Sequence, residues 1–128
     1  MNERIAEIEK ECKEIQDFLE IEPSESTDEL VARLTHINIY LARSGYLLAE
    51  AKKMQDKAIQ SVYQNYMEAL VKMPSNTAKQ FITSYVADVN YIVVWLDRLN
   101  RSCVHQGDNI RTQISFAKEE LKLVKSGY

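Results

Sequence analysis

Arg98, Arg101, His105 and Asp108 follow one another at spacings of three, four and three, which lines them along one edge of a helix. Arg111 stands one turn further on, and Arg43 sits between Tyr40 and Tyr46 in an earlier segment. Guanidinium forks bind phosphate through paired hydrogen bonds, and tyrosine rings stack on bases. Together these residues have the chemistry of an anion or nucleotide site, with Arg43, Tyr46, Arg98, Arg101, His105 and Arg111 as its candidates. The competing reading is a salt-bridged solvent face.

Other chemistry is hard to find. The two histidines, His36 and His105, project about nine residues apart in height if the hairpin turns near Ser75, and Cys12 and Cys103 are not spaced as zinc ligands. The zinc-protease, nucleophile-elbow, phosphate-loop and dinucleotide fingerprints do not occur. Glu119 and Glu120 are adjacent, so on a helix they diverge and cannot work as a paired acid and base. The expectation is a non-enzymatic protein with no catalytic residues, no metal and no cofactor.

The elements that would position the arginines are long helices. Tyr85, Val89, Ile92, Leu96, Leu99 and Cys103 repeat at alternating three and four, and Ile110, Ile114, Ala117, Leu121 and Val124 continue the stripe. Leu30, Leu34, Ile37, Leu41, Leu48, Ala51, Ala58 and Val62 do the same earlier, and Ile5, Ile8, Cys12, Ile15 and Leu19 make a shorter stripe at the start. The breakers are few. Pro23 ends the first helix, and Ser26-Thr27-Asp28-Glu29 reads as a capping box opening the second. Met73-Pro74-Ser75-Asn76 separates the second from the third, with Thr77 and Gln80 as a second box, and Gly127 suits a left-handed cap at the end. The predicted helices cover about residues 2–21, 27–72 and 78–125 of one all-α domain. The two long ones, at about 46 residues each, would run for roughly 70 Å.

A short turn makes the second and third helices antiparallel neighbours. If the turn is centred near Ser75, Gly45 falls opposite His105, close to Gly107, and Arg43 comes level with the arginine stripe. The first helix folds back along the starting half of the second and leaves the half nearest Pro74 uncovered. Two adjacent apolar stripes lie there, such as Ile59-Tyr63-Tyr66-Leu70 beside Ala58-Val62. Two helices cannot bury two stripes each against one another. The expected resolution is a homo-oligomer, a twofold dimer at its simplest, that completes a helical bundle. Tyr63, Tyr66, Tyr85 and Trp95 are its expected anchors, because aromatic residues dominate interface energetics.

Composition fits this picture. Glycine and proline number three and two in 128 residues. Net charge is −3, divided between an acidic start and a mildly basic remainder: residues 1–29 hold eleven acids and three bases, residues 30–128 eight acids and thirteen bases. The polarity reads either as pairing between the two parts or as a basic surface that attracts an anion. Both cysteines sit on apolar stripes and are expected as buried free thiols, as in a reducing compartment. No apolar run is long enough for a membrane span, the start carries no signal-peptide pattern, and the expected location is the cytoplasm.

The segments Tyr46-Leu47-Leu48-Ala49-Glu50-Ala51-Lys52, Trp95-Leu96-Asp97-Arg98-Leu99-Asn100 and Ile110-Arg111-Thr112-Gln113-Ile114-Ser115-Phe116-Ala117-Lys118-Glu119-Glu120 resemble small helical proteins encoded by phages and prophages. The layout is also similar to phage recombination mediators, oligomeric helical proteins that assist recombinase loading on single-stranded DNA. A phage origin would admit counter-defence roles, including the sequestering of nucleotide immune signals. Three functions follow: an oligomer that sequesters a small nucleotide-type anion, a single-stranded DNA accessory protein, and a scaffold whose only partner is protein. The weak positive charge of the hairpin argues against strong polynucleotide binding, and the first reading is preferred.

Overall fold

A computed structural model describes residues 2–127. The elements are α1 (Asn2–Glu20), α2 (Thr27–Val71), α3 (Ser75–Tyr85) and α4 (Ala87–Lys125), so the chain is all-α. The first two helices end where the sequence says they should. The predicted third helix is instead two, parted at Val86, whose backbone (φ −102°, ψ 18°) is no longer helical. Nothing local demands this break, since no glycine or proline lies between Pro74 and Gly107. Beyond the break α3 packs back on the end of α2, with Phe81 and Ile82 against Val62, Leu70, Val86 and Val89.

The helix starts also differ from expectation. Ser26 and Pro74 occupy the N-cap positions of α2 and α3, and neither gives a side-chain cap bond. Their carbonyls accept the first helical bonds, from Leu30 N–H at 2.9 Å and Ala78 N–H at 3.0 Å, but no hydroxyl bond closes a capping box at either start. Thr77 lies inside the first turn of α3. At the other end the expectation holds, with Gly127 at φ 83°, a conformation that costs glycine little.

α1 runs antiparallel to α2, with Arg4 near Glu50 and Phe18 near His36 and Tyr40. The three helices α1, α2 and α4 enclose the main core, in which Ile8, Ile37, Leu47 and Leu96 have no exposed surface. Cys12 and Cys103 are buried free thiols in that core. Burial pushes the Cys12 thiol up to about 11, and the carboxylates of Glu11 and Glu9 add to the shift. A second, smaller core of Val62, Leu70, Val86 and Val89 lies towards Pro74, between α2, α3 and the start of α4. The chain itself thus covers part of the apolar face expected to be open, while Tyr63, Tyr66 and Tyr85 stay exposed.

The pairing of α2 with α4 mirrors about Lys72 and Met73, not Ser75. Ser44 meets Asn100, Gln55 meets Asn90, and Gly107 faces Ile37. The two glycines therefore do not oppose one another. Gly45 faces the Asn100 side chain, and both glycines lie within continuous helix.

Candidate functional site

Three of the predicted arginines are already paired. Arg43 makes two 2.9 Å bonds to the Glu11 carboxylate across α1 and α2, and its guanidinium lies 5.4 Å from the Tyr46 ring centre. The hydrogen bonds to Glu11 hold the Arg43 pKa above its ordinary value. Arg101 pairs with Asp97 at 3.2 Å and Arg111 with Asp108 at 3.2 Å, each within α4. His105 and Tyr46 are exposed. Arg43, Arg101 and Arg111 thus each spend their charge on a carboxylate of the chain itself. The observed pairing puts Arg43 at about the height of Arg101, but Glu11 of the acidic α1 engages its guanidinium.

Arg98 differs. It is exposed and, among the described residues, has no ion-pair partner. It lines a groove of about 410 Å³ with Gln16 of α1 and with Tyr91, Val94, Trp95 and Ser102 of α4. Tyr91, Trp95, Arg98 and Ser102 follow at spacings of four, three and four, so helical geometry alone sets them in a row. The Tyr91 and Trp95 rings lie 5.7 Å apart at 56°. The Trp95 indole N–H donates to Gln16 Oε1 at 3.1 Å, which fixes the ring against α1 and leaves it half-buried. A flat ring can lie against Tyr91 and Trp95 while an attached anion meets the Arg98 guanidinium and the Ser102 hydroxyl. The sequence already contained this row. What distinguishes it from other rows is the packing of Trp95 against Gln16 of α1, which the spacing alone does not give.

A second polar group was also missed. Arg33 donates to Gln106 Oε1 at 2.9 Å, and Gln106 Nε2 donates to the Leu19 carbonyl at 2.9 Å. The Arg33 guanidinium lies 4.9 Å from the Phe18 ring centre, and burial lowers its pKa. These side chains satisfy the open carbonyl end of α1, where an anion would be repelled. Their role is to dock α1.

Of the expected interface residues, Tyr63, Tyr66 and Tyr85 are 44%, 38% and 50% exposed near the hairpin tip. Trp95 is half-buried and lines the Arg98 groove. Among the described residues no group of three or more histidine, cysteine or acidic side chains is placed to hold a metal ion. Among them, too, no helix is long and apolar enough to cross a membrane. Comparison with family models, curated proteins and solved structures finds no match to this chain.

Proposed function

We propose that this is a non-enzymatic helical binding protein that sequesters a small nucleotide-type anion, and that it works as a homo-oligomer. The observation that carries the reading is Arg98, a guanidinium without a carboxylate partner beside two aromatic faces and a hydroxyl. The groove is open and shallow, suited to holding a ligand and poorly suited to excluding water for catalysis. Exposed Tyr63, Tyr66 and Tyr85, with Met67 and Val71 beside them in sequence, support self-association at the tip. The resemblance to phage helical proteins supports a counter-defence setting.

The chain has one tryptophan, and it lines the groove. Titration with linear and cyclic nucleotides should therefore change its fluorescence on binding. Arg98→Ala should weaken that binding by more than tenfold, since a hydrogen bond to a charged group contributes about 1.5–3 kcal/mol. Arg101→Ala and Arg111→Ala, whose guanidiniums are paired within α4, should leave it nearly unchanged. Equal losses from all three would place the anion elsewhere. Binding of single-stranded DNA with steep salt dependence, and of no nucleotide, would favour the recombination reading. Binding of neither would leave a protein scaffold. Sedimentation equilibrium tests the oligomer: a single 14.8 kDa species at high micromolar concentration would remove it.

A further inference from the structure

Two departures from helical backbone lie close together in the hairpin. Tyr66, inside α2, has φ −128° and ψ 19°. Val86, between α3 and α4, has φ −102° and ψ 18°. Rings join the two places directly: Tyr66 is 5.6 Å from Tyr85, the residue before the break, and 5.3 Å from Phe81. A pair of packed helices bends only where both give, because a kink in one alone would shear the contact. Here both give within reach of one side chain.

The sequence does not require either departure. The stripe Ile82, Tyr85, Val89, Ile92 runs through Val86 in helical register, and no glycine or proline adjoins either site. Val86 keeps its own bonds on either side, its N–H donating to the Ile82 carbonyl at 3.1 Å and its carbonyl accepting from Asn90 at 2.9 Å, while the helix is interrupted between Tyr85 and Ala87. A straight chain would restore the helical bonds across Val86, so the bend is held by packing against that gain. A cluster apart from the main core straddles the same place, Leu70 of the tip packing with Val62 and Val89 of the body and with Val86 at the break, and Phe81 and Ile82 of α3 lie against it. Of the buried and half-buried apolar residues, only Ile5 and Met54 touch both clusters.

We infer that residues 67–85 form a hinged tip, which swings on the three-helix body about Tyr66 and Val86 between the observed bend and a straight hairpin in which α3 continues into α4. The ring contacts of Tyr66, Phe81 and Tyr85 hold the bend. Straightening moves α3 off the smaller cluster, so the bend decides whether that apolar surface is internal or open to a second copy. The hinge is independent of the Arg98 groove, which lies wholly on α1 and α4.

Spin labels and pulsed electron resonance test it, at concentrations where the chain sediments as one species. Cys12 and Cys103 are buried and will not take label. Lys53→Cys with Lys79→Cys, both exposed, spans body and tip; Lys10→Cys with Lys53→Cys stays within the body. The body pair should give one narrow distance and the body–tip pair two. Tyr66→Ala and Tyr85→Ala, each removing an exposed ring from the triad, should enlarge the second population without broadening the body pair. A single narrow body–tip distance in the native chain and in both variants would overturn the hinge. Equal broadening of both pairs would overturn it too, since the motion would then be general.

Discussion

Ser44 and Asn100 show how one buried polar group fixes helix register. Ser44 has no exposed surface, donates to the Leu41 carbonyl at 3.1 Å and accepts from Asn100 Nδ2 at 3.1 Å. Asn100 Nδ2 also lies 3.1 Å from the Leu41 carbonyl. Asn100→Ala should cost about 1–3 kcal/mol in chemical denaturation, because the Ser44 oxygen then lacks its donor away from water. Ser44→Ala with Asn100→Ala should cost less than the sum of the two single changes. Cys12 supplies a pH test at the same scale. Its thiol is raised from about 9 to about 11 in the fold, so the folded chain retains a proton that the unfolded chain gives up. The contribution is full below pH 9 and is lost as pH rises towards 11. Cys12→Ala should flatten that part of the stability–pH curve, measured against the native chain at each pH.

Among the elements, α1 is held by contacts of different kinds. Arg4 and Arg43 bond to Glu50 and Glu11 of the neighbouring helix, and the hydrogen bond from Arg4 holds the Glu50 carboxyl below its usual range. Gln106 and Arg33 close its carbonyl end. Gln106→Ala should raise amide exchange through the last turns of α1 more than elsewhere, because the Leu19 carbonyl loses its donor. Much of this element layout was legible in the sequence. The stripes of α1, α2 and α4 and the stops at Pro23 and Pro74 were all readable, because local periodicity and breakers determine them. The break at Val86 was not, since no glycine or proline stands near it and the apolar stripe runs through it in register. The pairing of Arg43 was not either. Its height was nearly right, but a mirror rule gives height alone, and the facing direction was decided by Glu11 of a third helix. The row Tyr91, Trp95, Arg98, Ser102 was present in the sequence, yet only the position of α1 distinguishes it from other rows.

At the scale of the whole molecule, the two cores make a prediction that ordinary single-core proteins do not. Leu96 has no exposed surface and lies in the three-helix body, while Leu70 is 7% exposed and lies in the smaller cluster near Pro74. Each leucine-to-alanine change leaves a cavity, with a cost of about 2–5 kcal/mol where the surroundings cannot collapse. For Leu96→Ala the cavity sits among side chains from three helices, so the whole chain should lose stability and amide exchange should rise throughout α1, α2 and α4. For Leu70→Ala the cavity sits beneath the tip, where α3 is joined to the body through the flexed backbone at Tyr66 and Val86. Its exchange should rise over residues 67–85, and the main denaturation midpoint should move little. The measurement is native-state hydrogen exchange by mass spectrometry on both variants. If Leu70→Ala raised exchange as far away as Leu30 and Ile110, the two cores would be one cooperative unit, and the tip could not move without the body.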